Sequence, residues 1–237
     1  MTQNKPIWEE IKLCFKLIPY SVNWKMQLFV SGLFMFVALI QLLPVLGNGP
    51  MSAVGGIYVV LAPMMSCQML MILTYTGIVQ SSIYKHRIQC KLFALQFLVT
   101  VLMCYAVTAV IVIAMHLAGF MDSLKLAGFV LPFLSGLIFL IWYYPMIYKL
   151  GKRSFIVITF AFVMGLSLYT QGVIFGGIAS ASGMAGFLSG IPFGLMLLVP
   201  VPVIFLAAWL MYVVANKMYR KPLSEWYVLQ AFKQASR

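Results

Sequence analysis

The chain has 237 residues, of which 63% are hydrophobic and only 8% are charged. Soluble domains carry about 25% charged residues, so this composition excludes a soluble enzyme, a disordered chain and a disulfide scaffold. The net charge of +12 comes from basic residues in short clusters between apolar runs. Loop charges of membrane proteins follow this pattern, whereas nucleic-acid binding needs a basic face on a soluble module. We therefore expect an all-α membrane protein without a nucleic-acid partner.

An amphipathic helix is predicted before the first long apolar run. Large apolar side chains recur on one helical face between Ile7 and Ile18, and charged side chains occupy the rest. Such a helix is expected to lie in the membrane interface, with Trp8 and Trp24 at headgroup level. It either positions the first span only or also contacts a partner as an elbow helix. The segment has no apolar core followed by a small-residue cleavage site, so no cleavable signal peptide is expected.

Charge-free runs predict six membrane spans, because one spanning helix needs about 20 apolar residues. Turn-forming segments at 44–50 and 176–192 divide the two longest runs. The predicted spans lie near 26–46, 54–80, 92–117, 126–148, 154–175 and 191–215. Residues 1–237 are thus expected to form a single transmembrane domain, in which 1–25 precede the spans, 26–215 contain them and 216–237 form a tail.

The placement of lysine and arginine predicts how these spans are oriented. Of the 16 basic residues, only Lys125 falls on the second side of the predicted membrane. The side richer in Lys and Arg normally faces the cytoplasm, so both termini are expected there. The even number of spans agrees with this topology. The predicted location is the plasma membrane, crossed several times.

Groups that carry enzymatic chemistry are scarce in the predicted spans. No Asp or Glu occurs there, His86 lies in a loop, and His116 stands alone near the outer end of the third span. Without paired carboxylates or a Cys/His cluster we expect no catalytic residue, no metal site and no enzyme. The four cysteines lack paired spacing and are expected to be free thiols. No GxxxxGK[ST] motif occurs, so an ATP-driven function needs an ATPase on another chain.

Weakly polar side chains inside the predicted spans have two interpretations. Such groups usually hydrogen-bond to a neighbouring helix. They also suit the lining of an amphipathic translocation path. The residues best placed for such a path are Thr74, Thr76, Gln80, Thr170 and Gln171.

Glycines at four-residue spacing are concentrated late in the chain, and this spacing lets helix backbones approach closely. They are Gly172, Gly176, Gly186, Gly190 and Gly194. Their packing partner is either this subunit, a second copy or a re-entrant hairpin. Residues 178–192 are uncharged and rich in small residues, which favours short helices that dip back into the membrane.

Six spans, cytoplasmic termini, an amphipathic first helix and a short basic loop after the second span resemble a type-2 ABC exporter permease. The uncharged segment between spans five and six is a further similarity. The resemblance covers the whole chain and rests on architecture. It implies that residues 81–91, SSIYKHRIQCK, dock into a groove of a separate ATPase subunit. The implied coupling surface consists of Ser82, Tyr84, Lys85, His86, Arg87 and Gln89. The alternative is an ordinary positive-inside cluster.

The resemblance also implies a function and a set of partners. Such permeases act as dimers, so a second copy of the chain is expected beside an ATPase subunit that binds ATP and Mg, and the chain itself needs no cofactor. Related small permeases export amphipathic peptides or hydrophobic compounds, in virulence or in immunity to antimicrobial peptides. Two other hypotheses stay open: a membrane scaffold or regulatory subunit, and a substrate-capture subunit of a vitamin uptake system.

Overall fold

A computed structural model describes residues 6–21, 23–47, 53–74, 77–144, 149–151, 153–175 and 184–220. Every regular element within these ranges is helical. In chain order the α-helices are α1 Ile7–Leu17, α2 Trp24–Ile40, α3 Ala53–Leu73, α4 Gly77–Gln80, α5 Phe93–Leu117, α6 Ser123–Tyr144, α7 Arg153–Phe175, α8 Met184–Ser189, α9 Phe193–Leu198 and α10 Pro200–Met218. Short 3₁₀ turns follow α1 and α2, and a π-helical turn at Arg87–Leu92 leads directly into α5.

Five of the described segments are long and apolar enough to cross a membrane. They are Trp24–Leu46, Val54–Leu73, Arg87–Leu117, Ser123–Tyr144 and Phe193–Met218. They support the prediction of an all-α, membrane-embedded protein. Helix α7 has 23 residues and contains the apolar stretch Val157–Tyr169. Residues 176–183, the first half of the predicted 176–192 turn, and residues 221–237 of the predicted tail lie outside the described residues.

Two helix ends differ from the boundaries expected from hydropathy. Helix α3 ends at Leu73, and the Thr74 hydroxyl donates to the carbonyl oxygen of Met71 at 2.6 Å. A threonine that bonds backward in this way competes with continuation of the helix. The helix that contains α5 begins several residues before Leu92, the expected start of the third span. There the Ser82 Oγ accepts a hydrogen bond from the backbone N–H of Tyr84 at 3.1 Å, within the turn that precedes the helix.

Helices α3 and α6 form the centre of the bundle, because about two thirds or more of each is buried, whereas a third or less of α2, α5 and α10 is buried. Two glycines let the two backbones approach. A Cβ on Gly56 would stand only 2.5 Å from the Phe129 carbonyl oxygen, and one on Gly136 would stand 3.1 Å from a Val60 methyl group. Helix α2 packs on α3, α7 packs on α6, and α5 and α10 pack on each other and on this central pair.

The glycines at four-residue spacing lie elsewhere. A Cβ on Gly172, Gly186 or Gly194 would meet no atom of a neighbouring element within 4 Å, and one on Gly190 would meet only carbonyl oxygens of its own turn at 3.4 Å. Gly176 lies outside the described residues. Among the described glycines, those that meet a neighbouring element closely are Gly56, Gly136 and Gly55, whose Cβ would stand 3.2 Å from the Gln41 Cβ. Packing of the spaced glycines against a second copy or in a re-entrant hairpin stays a prediction.

Helix α5 contacts α9 towards the end of the bundle opposite the 81–91 segment. The His116 ring stacks on the Phe193 ring at 3.7 Å between centroids, and its Nδ1–H donates to the Met121 carbonyl oxygen at 2.7 Å. The Tyr105 hydroxyl donates to the Leu197 carbonyl oxygen at 2.6 Å. His116 thus contributes to packing at this end.

Candidate docking site at the basic end of the bundle

Residues Ser81–Tyr84 form a tight turn between α4 and the helical residues that start at Lys85. The side chain at its tip, Ile83, is 89% exposed, and Tyr84 is 56% exposed. Ile83 and Tyr84 thus form a small exposed apolar surface within a basic turn. Ile83 was not among the predicted coupling residues; its signal was an apolar side chain between Ser82 and the polar residues that follow.

A buried carboxylate ties this region to α1. Glu10 is only 3% exposed in its side chain, and its carboxylate contacts the Arg87 Nη2 at 2.8 Å and the Lys91 Nζ at 2.9 Å. Arg87 and Lys91 are four residues apart on the π-helical turn, which places both cations on one face. Turns of this type occur frequently at functional sites. One negative charge therefore holds two positive charges and leaves the cluster with a net charge of +1.

The inward face of α1 differs from the face expected from its apolar pattern. Glu10 and Cys14 point into the bundle, while Ile7 and Phe15 remain exposed. The Cys14 thiol donates to the Leu92 carbonyl oxygen at 3.4 Å. Burial, and secondarily the charge of Glu10, raises the pKa of this thiol from 9.0 to about 12. No local sequence signal identifies this docking, because the partners of Glu10 and Cys14 lie 77 and 78 residues further along the chain.

The 81–91 segment also contacts the end of α10 through His86. The His86 Nε2 lies 2.9 Å from the Asn216 Oδ1, and the His86 ring meets the Tyr219 ring edge-on at 4.6 Å. Lys217 and Arg220 complete an open polar cleft of about 550 Å³ at this point. The 81–91 segment is consequently joined to α1 on one side and to α10 on the other.

A further lysine is buried beneath this end of the bundle. Lys149 is only 6% exposed, in the connection between α6 and α7. Burial lowers the pKa of its ammonium group, and the charge of Lys85 lowers it further, while Cys90 opposes the shift. The basic side chains of this end are therefore close enough to influence one another.

The predicted coupling residues do not all share one surface. Tyr84 and His86 are exposed, Ser82, Lys85 and Arg87 are half-buried, and Gln89 is 2% exposed within the bundle. Ser82 accepts a hydrogen bond within the turn, and Arg87 holds Glu10. A partner that approaches this end meets the turn and its basic flank, and it does not reach Gln89.

Of the predicted path residues, the described part of the structure brings together Thr74 and Gln80, which share a hydrogen bond. Thr74 is buried and bonds to its own helix, and the Gln80 amide donates to the Thr74 carbonyl oxygen. Thr76 lies outside the described residues, as do the side chains of Thr170 and Gln171. The translocation path therefore stays a prediction.

The basic end combines charged side chains with a small exposed apolar surface. Among the described residues no group of three His, Cys, Asp or Glu side chains is placed to hold a metal ion. The site offers cations, one buried carboxylate and an exposed apolar tip, which suits an acidic partner surface. Comparison of the chain with protein-family models, curated proteins and solved structures gives no match. The geometry of the basic end is therefore the basis of the functional argument.

Proposed function

We propose that the chain is the membrane-spanning permease subunit of an ATP-driven exporter of the ABC type. It forms the pathway for amphipathic peptides or hydrophobic compounds, together with a second copy of itself. A separate ATPase subunit docks on the 81–91 segment and hydrolyses ATP with Mg. The proposal includes six spans with both termini in the cytoplasm, with α7 as the remaining span, because 23 helical residues measure about 34 Å and a bilayer core about 30 Å.

One observation carries this proposal: the exposed turn at Ile83 and Tyr84 is attached to three helices at once. Arg87 and Lys91 attach it to α1 through Glu10, His86 attaches it to α10, and the π-helical turn continues it into α5. A force applied to the turn is therefore transmitted to α1, α5 and α10 without an intervening flexible segment. A docking site for an energy-supplying subunit needs this property, whereas a passive positive-inside loop does not.

The first test separates contact residues from residues that position the turn. The chain is co-purified with the ATPase subunit encoded beside it, and ATP hydrolysis is measured in lipid. Ile83→Ser with Tyr84→Ala is expected to lower association about tenfold or more without changing thermal stability, because both side chains are exposed. Phe120→Ser is the matched control, since Phe120 is exposed in the turn at the opposite end. Equal association of both variants would reject the docking site.

The second test uses the ion pair. Arg87→Glu places two carboxylates together and is expected to displace the turn, which lowers ATP hydrolysis by the complex. Adding Glu10→Arg restores the opposite charges and is expected to restore hydrolysis. Recovery identifies Arg87 as a positioning residue. If the wild-type chain associates with no ATPase, the permease proposal fails, and a scaffold or vitamin-capture role takes its place.

A further inference from the structure

An open apolar groove runs between α5 and α10, starting at the basic end. Its volume is about 490 Å³. Leu95 and Leu98 form one wall, Phe205, Trp209 and Tyr212 form the other, and Lys91 stands at its mouth. Ile7 of α1 lies beside the same mouth. The groove is thus apolar along its length and cationic at one end.

The groove is not covered by the described part of the chain. Phe205 is 52% exposed, Trp209 is 58% exposed, and Ile7 is 64% exposed. Both walls belong to helices long enough to cross a membrane. The natural occupant of such a surface is a lipid or another transmembrane helix.

The length of the first wall places the groove at a definite depth. The segment Arg87–Leu117 has 31 residues and measures about 46 Å, which exceeds a hydrocarbon core of about 30 Å. The turn at Lys91 therefore extends to headgroup level, while Leu98 lies about 10 Å deeper along the helix. Trp209 and Tyr212, on the opposite wall, are residue types that favour the membrane interface. The groove joins the headgroup region to the acyl-chain region.

Within the described residues, the positive charge at the mouth is only partly neutralised. Lys91 is 47% exposed in its side chain and shares the Glu10 carboxylate with Arg87, so two cations face one anion. An ammonium group has three N–H donors, and its exposed side remains open to a further acceptor. A phosphodiester oxygen at headgroup level is an anionic acceptor, so it pairs with the Lys91 charge and accepts a hydrogen bond from the ammonium group.

We propose that this groove is a binding site for an anionic phospholipid. Its phosphate contacts Lys91, and one acyl chain lies along Leu95, Leu98 and Trp209. A second copy of the chain is a poorer occupant, because a two-fold axis through this groove brings the Arg87–Lys91 cations of both copies together. A zwitterionic lipid satisfies the apolar walls but brings its own cation to a positively charged mouth.

The test is native mass spectrometry of the full chain from detergent with added phosphatidylglycerol or phosphatidylcholine. The wild type is expected to retain about fivefold more phosphatidylglycerol, the preference that one lysine near an anionic headgroup supplies. Lys91→Gln removes the charge and is expected to abolish the preference. Leu98→Trp fills the groove from a half-buried position and is expected to lower retention of both lipids. The matched controls are Lys16→Gln, another exposed lysine, and Leu33→Trp, on the exposed face of α2.

Each outcome decides the proposal. The site is established if Lys91→Gln loses the preference for phosphatidylglycerol and Leu98→Trp retains less of both lipids, while both controls behave like the wild type. Equal retention of the two lipids by the wild type overturns it, as does unchanged retention in both groove variants. If Leu98→Trp instead converts a dimer into monomers while lipid retention is unchanged, the groove is an interface between copies and the proposal is wrong. None of these outcomes depends on an ATPase, so the result is independent of the function proposed above.

Discussion

Two helix contacts in this bundle depend on different physical properties, one on shape and the other on charge. Between α3 and α6 the backbones meet because Gly56 and Gly136 have no side chain, so the contact depends on shape. Between α1 and the start of α5 the contact depends on charge, because a buried Glu10 holds Arg87 and Lys91. The first contact should fail when a single methyl group is added. The second should tolerate changes of volume and fail when a charge is lost.

The largest expected effect concerns the thiol beside the ion pair. The pKa of Cys14 is raised from 9.0 to about 12, mainly by burial, so at pH 8 very little thiolate is present. In a variant whose only cysteine is Cys14, modification by a maleimide should be at least about a hundredfold slower than for a free thiol. The rate should continue to rise with pH beyond 9.

The control for this measurement is a chain whose only cysteine replaces Leu13, which is 36% exposed in the same helix. Its labelling should be fast and should level off near pH 9. A raised folded-state pKa also means that the stability contributed by Cys14 is fully present below pH 9 and is lost as pH rises from 9 towards 12. Equal labelling rates at the two positions would show that α1 is not docked on α5.

The next largest effect is expected in the central contact. Gly56→Ala places a Cβ 2.5 Å from the Phe129 carbonyl oxygen and 2.9 Å from the Phe133 nitrogen, so two backbones must separate. The free energy of unfolding, measured by denaturant titration in mixed micelles, should fall by about 2 kcal/mol. Gly32→Ala meets no atom within 4 Å and should cost nothing or stabilise the helix slightly. If Gly56→Ala is as stable as Gly32→Ala, the backbones of α3 and α6 do not meet closely at Gly56.

Hydropathy and charge were sufficient to predict the helical, membrane-embedded character of the chain, because a span needs only length and apolar composition. They did not predict the central contact. Gly56 and Gly136 act alone on different helices, whereas sequence reasoning favoured glycines at regular spacing such as Gly186 and Gly190. Their partner atoms belong to distant residues, and no local pattern identifies them.

The basic end was predicted only in part for a related reason. The charges of the 81–91 segment were visible, but every one was expected to point outward. Glu10 was assigned to the polar face of an interfacial helix, and the structure buries it. A buried acid is identified by the cation opposite it, and Arg87 lies 77 residues further along the chain. Periodicity within one helix contains no information about that partner.

The ion-paired contact should respond to charge more than to size. Glu10→Gln keeps the volume and leaves Arg87 and Lys91 without their anion, so the free energy of unfolding should fall by about 1–2 kcal/mol, less than for a fully buried pair because both cations reach solvent. A double-mutant cycle with Arg87→Gln should give a coupling energy above zero. The exposed Glu9, changed to Gln, should have no measurable effect. If the Glu10 and Arg87 substitutions instead lower the free energy of unfolding additively, the two side chains do not interact and the contact does not depend on charge.

The smallest effect on global stability is expected where the 81–86 turn meets α10. This contact is expected to affect the local order of the turn more than the stability of the bundle. The bond between His86 and Asn216 is exposed, so Asn216→Ala should lower the free energy of unfolding by only about 0.5 kcal/mol. Asn216→Asp keeps an oxygen acceptor opposite His86 and should behave like the wild type. Hydrogen exchange should nevertheless quicken at residues 81–86 in Asn216→Ala, because the turn loses one of its attachments while Glu10 still holds Arg87. Faster exchange limited to these residues would show that α10 stabilises the turn independently of the ion pair. The proposed transmission of force to both α1 and α10 requires this independence. Unchanged exchange would mean that Glu10 alone fixes the turn, and α10 would then have no part in the movement of the docking site.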